Sequence, residues 1–236
     1  MTPAPHDAAL DNTADDHGHA AASRSGGRGA AAREAILVAA ERLFAEHGLD
    51  NVSHRQISAA AGQRNIAAVN YHFGTTEELI LEIVRRNARR IERFRVEALE
   101  SIGDGANLRD WIGCLVYPVT RHLDEMGSPT WYARLGARVA TDPRYQDAID
   151  ELAVQSPALR RTIEGIRSCL PDLPEATRAE RSAMARLITV HMLADREAAL
   201  AAGRPTARAT WAACGAGMVD ALAGLWSAPV GPGTDH

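Results

Sequence analysis

Residues 53–73 read SHRQISAAAGQRNIAAVNYHF, a pattern that predicts two short helices with a tight turn between them. Ser53 is followed three residues later by Gln56, so each side chain can satisfy an open backbone group at a helix start. We therefore expect a helix from His54. We expect this helix to end at Gly62, because glycine adopts the left-handed conformation at little cost.

The second helix carries the side chains expected of a helix that enters the major groove of DNA. Asn65 is a good cap for a helix that starts at Ile66, and the helical period turns Val69 and Phe73 inward. Small outward alanines let the backbone sit deep in a groove, an asparagine can pair bidentately with adenine, and tyrosine and histidine can donate to phosphate. These outward residues are Ala67, Ala68, Asn70, Tyr71 and His72. Two short helices joined in this way predict a helix-turn-helix.

The run AGQRNIAAVNYHFGTTEEL, residues 61–79, resembles the DNA-binding domain of the TetR family of one-component transcriptional regulators. The close resemblance covers residues 32–86. The turn is one residue longer than the commonest spacing of the family, which leaves the register of Gln63 and Arg64 open. Thr76 stands where the family usually has a phosphate-binding lysine, so we expect that contact to be lost. The residues predicted to lie at the DNA are Ser53, His54, Arg55, Gln63, Arg64, Asn65, Ala67, Ala68, Asn70, Tyr71, His72 and Thr76.

Helical periodicity extends over the rest of the chain, without strand alternation. An amphipathic helix is predicted from about residue 31 to residue 47, and a capping pair at Thr75 and Glu78 starts a long helix that runs to about Ser101. Arginines including Arg95 are placed on the outer, solvated face of that helix. Further helices are predicted at about 107–125, 129–140, 143–169, 175–202 and 205–227. The sequence thus predicts an all-α fold of about nine helices.

We divide the chain into four segments. Residues 1–29 are rich in small and polar residues and predict a disordered arm, whose arginines, with Arg33, either track phosphates or belong to a solvated linker. Residues 30–75 form the helix-turn-helix domain, 76–228 a helical ligand-binding and dimerisation domain, and 229–236 a flexible tail. Residues 24–95 hold 12 Arg and 8 Asp or Glu, a net +4, whereas residues 96–236 hold 14 and 18, a net −4. A basic head on an acidic body fits a protein that touches DNA at one end.

Composition and motifs argue against several other classes of protein. Cys114, Cys169 and Cys214 are far apart and form no CxxC pair, so we expect neither a disulfide framework nor a thiolate metal site, and a reducing cytoplasm is favoured. The alanine- and glycine-rich run at residues 209–226 is interrupted by Asp220 and makes a poor membrane span. No nucleophile elbow, zinc-protease motif, Walker loop or dinucleotide fingerprint is present, so we expect no enzyme, no metal and no cofactor.

Two further sites are predicted in the body. An apolar cavity with a few polar groups is what a small-molecule site requires, and the resemblance implies an inducer pocket here. The candidate ligand-binding residues are Trp111, Cys114, Tyr117, Trp131 and Arg134. Stripes of small residues on the last two helices either face their own core or form a four-helix interface in a homodimer, as in the family. The candidate dimerisation residues are Leu187, His191, Ala212, Ala216, Val219, Ala223 and Trp226.

Together these features predict a homodimeric regulator that binds a palindromic DNA operator and is released from it by an unknown small-molecule ligand. The resemblance implies a repressor. Two alternatives remain at this stage. The chain could be a regulator-like protein that binds a protein partner instead of DNA, or an all-helical enzyme with an unrecognised site.

Overall fold

The computed structural model describes the backbone of residues 16–65 and 67–231, with side chains from residue 29 onward. Within those ranges the chain forms ten α-helices, one 3-10 helix at Pro143–Tyr145 and no strand, which confirms the all-α class. The helices are α1 Asp16–His47, α2 His54–Ala60, α3 Ala68–Phe73, α4 Thr76–Ser101, α5 Leu108–Glu125, α6 Tyr132–Thr141, α7 Gln146–Val154, α8 Pro157–Ser168, α9 Glu175–Ala201 and α10 Trp211–Ser227.

The first helix starts earlier than predicted. Helix α1 begins at Asp16, so residues 16–29 are helical and the prediction of a disordered arm is wrong for them, while residues 1–15 lie outside the described residues. Alanine is the strongest helix former, and alanines on both sides of the glycines at 26 and 27 favour a continuous helix. Of the predicted basic arm, the side chains of residues 24 and 28 are not among those described. Arg33 is bound elsewhere: it pairs with Glu82 at 3.0 Å and lies 4.9 Å from the centre of the Phe73 ring.

Local capping sets the helix-turn-helix geometry. Ser53 and Gln56 form the predicted capping box, with the Ser53 N–H donating to Gln56 Oε1 at 2.8 Å. Gly62 takes the left-handed conformation, with φ of +66°. Helix α3 begins at Ala68 and not at residue 66, which is outside the described residues. Asn65 still organises this start, because its Oδ1 accepts from the Ala67 N–H at 2.9 Å.

The head, helices α1 to α3 with the start of α4, shares one apolar core with the body. Ile36, Phe44, Ile57 and Val69 are fully buried there together with Leu135 of α6. The core continues to Val139 of the same helix and to Tyr145 in the 3-10 helix. Helices α5, α8, α9 and α10 enclose a second core, which contains Trp211 and Trp226.

Two predicted body helices have different bounds. The helix predicted at 143–169 is interrupted after Val154, because Ser156 caps α8 and Pro157 occupies its first turn. This interruption accounts for one helix more than the nine expected. The helix predicted from residue 205 starts only at Trp211, since the Arg196 guanidinium binds the carbonyls of Arg208 and Ala209 at 2.6 and 3.2 Å.

Candidate nucleic-acid interface and body cavity

Helix α3 presents one face to the core and the other to solvent, as its period predicts. Val69 is fully buried and Phe73 is 7% exposed. On the other face Tyr71 is 85% exposed, an extreme value for a large aromatic side chain, and Asn70 is exposed next to it. An exposed aromatic residue on a short, rigidly packed helix is a candidate contact for a partner.

The flanking polar residues differ in availability. Gln63 is partly engaged, because its Nε2 donates to the Ala61 carbonyl at 3.2 Å. Ser53 is used in its capping box. Arg55 and Arg64 are exposed, and within the described residues neither forms an ion pair, so both cations remain available to phosphates or bases.

His54 joins three helices of the head. Its Nε2 lies 3.1 Å from Thr76 Oγ1 at the start of α4, and its Nδ1 hydrogen-bonds to Asn70 Oδ1 on α3. The predicted bidentate pairing of Asn70 with adenine needs this same oxygen as an acceptor. The structure therefore gives His54 and Thr76 an internal role that the sequence did not predict.

The body contains a partly open cavity of about 280 Å³ whose walls are mostly apolar. It lies between helices α4 to α9, and α4 contributes five lining residues, from Val84 to Arg95. Polar groups gather at one corner, where Glu92, Arg95, Tyr132 and Ser156 meet. Apolar walls with a few convergent polar groups are the usual composition of a small-molecule site.

Most hydrogen-bonding capacity at this corner is already used by the protein. Glu92 accepts from Arg95 Nη1 at 3.1 Å, from the Ala158 N–H at 2.8 Å and from the Ser156 hydroxyl. Arg95 Nε donates to the Cys114 carbonyl at 3.3 Å. That carbonyl needs a donor because Pro118, four residues later in α5, has no N–H.

Two donors at the corner remain for a ligand. Arg95 is buried, not on the solvated face where we predicted it, and burial lowers the pKa of its guanidinium although Glu92 opposes this. Its Nη2 has no hydrogen-bond partner among the described residues, and the same holds for the Tyr132 hydroxyl. Burial raises the pKa of Tyr132, so this hydroxyl stays protonated and can donate.

None of the five predicted ligand-binding residues lines this cavity. Trp111 packs against Gly165 of α8, where an added Cβ would collide with the indole ring. Cys114 and Tyr117 border a different depression, which is also lined by Val219.

Trp131 and Arg134 stabilise the fold. The Trp131 side chain packs on the core shared by head and body. Arg134 Nε donates to Glu197 Oε2 at 3.0 Å, and the backbone N–H groups of Ala133 and Arg134 also donate to Glu197. The carboxylate thus caps the start of α6 from the opposite helix.

A buried polar chain connects the head to the cavity wall. Asn87 on α4 donates to Glu41 Oε2 on α1 at 3.2 Å, and His122 Nε2 on α5 donates to Asn87 Oδ1 at 2.7 Å. The His122 ring meets the Tyr132 ring edge to face at 5.6 Å. Burial is the main cause that lowers the pKa of His122 to about 4 and raises that of Glu41.

The predicted dimerisation residues divide into two groups. Leu187 and His191 on α9 and Ala212 on α10 are exposed, and Ala216 is half-buried. Val219, Ala223 and Trp226 are buried in the core of their own chain, packed toward α5, so they are not accessible to a second copy. Met184 and Met192, 40% and 51% exposed, are further exposed apolar side chains of α9.

No group of three His, Cys, Asp or Glu side chains that could hold a metal ion occurs in the part of the chain that the structure describes. None of the helices in that part is long and apolar enough to cross a membrane.

An exposed helix-turn-helix joined to a helical body that contains an apolar cavity defines the class of the helical DNA-binding regulators. Two family profiles match this chain: "Bacterial regulatory proteins, tetR family" over residues 36–83, and "Tetracyclin repressor-like, C-terminal domain" over residues 113–224. The chain belongs to the TetR family. Regulators of this family are not enzymes; they bind DNA operators and small-molecule ligands and act as dimers.

Individual relatives match mainly through the head. The HTH-type transcriptional repressor AcnR of Corynebacterium efficiens is 33% identical over 85 residues, 34% of this chain and 45% of that protein. The HTH-type transcriptional dual regulator CecR of Shigella flexneri is 41% identical over 75 residues, 31% of this chain and 33% of that protein. The matches therefore span less than half the length of these relatives.

The fold is similar to that of a solved structure from Shewanella sp. PV-4, which is assigned to the tetR family of transcription regulators. The TM-score is 0.54 at 17% identity, and the alignment covers 83% of this chain and 96% of that one. At this identity the likeness concerns the fold alone.

Proposed function

We propose that this protein is a homodimeric transcriptional repressor that binds a palindromic DNA operator through α3 and leaves it when a small molecule fills the body cavity. The observation that carries the proposal is the exposed face of α3, where Tyr71 extends 85% exposed from a helix whose opposite face is buried. The names of the relatives that match the head, repressors and a dual regulator, support this direction of control.

The DNA contacts follow from the exposed face of the head. Tyr71 and His72 donate to phosphates, and Arg55 and Arg64 supply positive charge next to them. Asn70 faces the base edges. A pair of such heads related by a twofold axis would read half-sites about 34 Å apart, which raises discrimination over that of one short helix.

The dimer interface is formed by the exposed faces of α9 and α10. Met184, Leu187 and Met192 are exposed apolar side chains on α9, and burial against a second copy would remove them from water. Ala212 and Ala216 on α10 are small and let two helices approach closely. Of the seven predicted dimerisation residues, the proposal keeps Leu187, His191, Ala212 and Ala216. It leaves out Val219, Ala223 and Trp226, which are buried in the core of their own chain.

The ligand is a small, mostly apolar molecule that carries a hydrogen-bond acceptor. The apolar walls of the cavity favour an apolar molecule, and the unpaired donors of Arg95 and Tyr132 favour a hydrogen-bond acceptor at one end of it. Helix α4 forms one wall and also begins at Thr76, next to α3. A ligand that prefers another shape of the cavity would shift α4 and, through it, the separation of the two heads.

DNA binding is tested by a matched pair of variants. Operators are selected from a random duplex library with the full chain, and affinity is then measured by fluorescence anisotropy at several salt concentrations. Tyr71→Phe removes a phosphate hydrogen bond and should weaken binding to every duplex by roughly tenfold. Tyr117→Phe makes the same change on α5 of the body and should leave DNA affinity unchanged.

Binding by the unaltered chain should also fall steeply with salt as counterions are released. Absence of any selected duplex, or equal behaviour of the two variants, would refute the proposed interface. It would instead favour a protein partner.

The ligand response is tested by filling the cavity. A panel of small aliphatic and aromatic compounds that carry a hydrogen-bond acceptor is screened for an increase in the melting temperature, because binding to the folded state alone stabilises it. A compound that stabilises the chain should also lower DNA affinity. Ala88→Phe, on the α4 wall, should abolish both effects while DNA affinity without the compound persists. If stabilising compounds act equally on this variant, the cavity is not the ligand site.

A further inference from the structure

Among the residues that the structure describes, the body cavity has two charged side chains in its walls, and their charges are opposite. They are Glu92 and Arg95, one helical turn apart on α4, and Arg95 Nη1 donates to Glu92 Oε2 at 3.1 Å. Every other described side chain that lines the cavity is apolar or an uncharged polar group. The pair therefore leaves the wall with no net charge to balance that of a ligand.

Glu92 is held in place by a second helix. The Ala158 N–H donates to Glu92 Oε1 at 2.8 Å, and the Ser156 hydroxyl donates to Oε2. Ser156 is the cap of α8, so the carboxylate binds the positive end of that helix as well as the guanidinium. The Glu92 side chain is 23% exposed and that of Arg95 is 7% exposed. These contacts fix the negative charge next to Arg95.

A charged ligand gains little from this pair. An anion at the unpaired Nη2 of Arg95 is attracted by the guanidinium but repelled by the carboxylate that is bound at the neighbouring Nη1. Because attraction and repulsion largely cancel, the free energy needed to remove the anion from water is not recovered. An ammonium group meets the same cancellation with the signs reversed.

An uncharged oxygen acceptor fits this corner better. The carbonyl oxygen of a ketone, an ester or an amide has two lone pairs and can accept from Arg95 Nη2 and from the Tyr132 hydroxyl. It carries no net charge that must be removed from water. The apolar remainder of such a molecule would lie against the apolar walls.

We infer that the ligand is an uncharged carbonyl compound, and that Glu92 is the residue that excludes carboxylates by balancing the charge of Arg95. The inference rests on the proposed function, which places the ligand in this cavity, and it adds the chemical class of that ligand. Binding is measured without DNA, so a failure of the inference differs from a failure of ligand-induced release.

The test compares three compounds with the same eight-carbon chain: 2-octanone, octanoate and octylamine. Their affinities for the full chain are measured by isothermal titration calorimetry at about pH 7, where the acid and the amine are charged. The unaltered chain should bind 2-octanone roughly tenfold more tightly than either charged compound.

Two variants remove one charge of the pair at a time. Glu92→Gln keeps an acceptor for α8 but leaves Arg95 unbalanced, so octanoate should gain roughly tenfold in affinity relative to 2-octanone. Arg95→Gln leaves Glu92 unbalanced and should give a similar gain to octylamine. It tests the charge balance even if Glu92→Gln does not fold, which circular dichroism would show.

Glu97→Gln is the matched control, because it makes the same substitution on α4 at an exposed ion pair with Arg121. Glu97 is not among the residues that line the cavity. This variant should keep the preference for 2-octanone that the unaltered chain has.

Each outcome has a defined meaning. Preference for 2-octanone in the unaltered chain and in Glu97→Gln, with the expected gains in the two other variants, supports the inference. Octanoate or octylamine bound by the unaltered chain as tightly as 2-octanone overturns the ligand class, and so does a lack of binding by all three. An unchanged preference in folded Glu92→Gln overturns the role of Glu92. If 2-octanone binds as expected but does not lower DNA affinity, the inference stands and the proposed release from the operator fails.

Discussion

Replacement of His122 by glutamine should make the stability of this protein less sensitive to acid. His122 is 2% exposed, and its Nε2 donates to Asn87 Oδ1 at 2.7 Å. Burial and the nearby positive charges of Arg90 and Arg86 lower its pKa from 6.5 to about 4, although Glu125 opposes this. The unfolded chain therefore binds more protons than the folded chain between these two values, and stability falls as pH falls through this window.

The size of the effect follows from the two pKa values. Between about pH 7 and about pH 5, the unfolded histidine becomes mostly charged while the folded one stays neutral, which costs about 2 kcal/mol of unfolding free energy. In His122→Gln the amide can still donate to Asn87 but cannot titrate. The variant should therefore lose about 2 kcal/mol less than the unaltered chain over the same range.

Urea unfolding followed by circular dichroism at both pH values measures this difference. Protein concentration must be held constant, because dimerisation contributes to stability. Glu41, whose pKa is raised by burial, changes stability with the opposite sign, but it does so in both proteins and cancels in the comparison. His47→Gln, at an exposed position at the end of α1 and outside the proposed dimer interface, is the control and should behave like the unaltered chain. Equal acid sensitivity of all three proteins would refute the assignment of a buried, neutral His122.

Two stability predictions concern packing and capping. Gly165→Ala places a methyl group against the rigid indole of Trp111 and should destabilise the fold by about 1–3 kcal/mol, whereas Gly29→Ala, on α1 with open space around it, should be neutral or slightly stabilising. Urea midpoints compare the two, and similar midpoints would mean that α5 and α8 do not pack as described. Ser53→Ala removes the hydroxyl that accepts from the Gln56 N–H and should cost about 1 kcal/mol, measured by the same method. An unchanged midpoint would show that the start of α2 is held by other contacts.

Local signals predicted the head well because its geometry is set by residues close in sequence. The capping boxes at Ser53 and Thr75 are present, and helices α2 and α4 begin directly after them. Gly62 has the expected left-handed conformation. The break before α8 could also have been predicted, since serine followed by proline at 156 and 157 is a standard helix start.

The cavity could not be predicted in the same way, because periodicity assigns a face to each helix but does not say which faces meet. Trp111 and Trp131 were candidates as aromatic residues, yet both fill apolar cores. Arg95 was predicted on the outer face of α4, together with the other arginines of that helix. A signal for its inward position did exist in the chain, since Pro118 leaves a buried carbonyl in α5 that needs a donor from another helix.

Both His54 and Asn70 were predicted to lie at the DNA, but the hydrogen bond between them was not predicted. The two residues are 16 positions apart and belong to different helices, so neither capping nor periodicity relates them. Only the crossing of α2 and α3 brings them together. Sequence patterns therefore identified the surface that faces DNA, but not the hydrogen-bonding state of the side chain that would read it.

The apolar core shared by the head and α6 limits how this regulator can be engineered or can diverge. Ile36 and Phe44 of α1 lie in the same cluster as Leu135 and Val139. A fragment that ends at residue 75 would expose this cluster to water and should not fold alone. Chimeras that exchange heads between regulators would need matching changes on α6. Substitutions on α6 can also alter operator choice by changing the orientation of α1, although they lie far from any base.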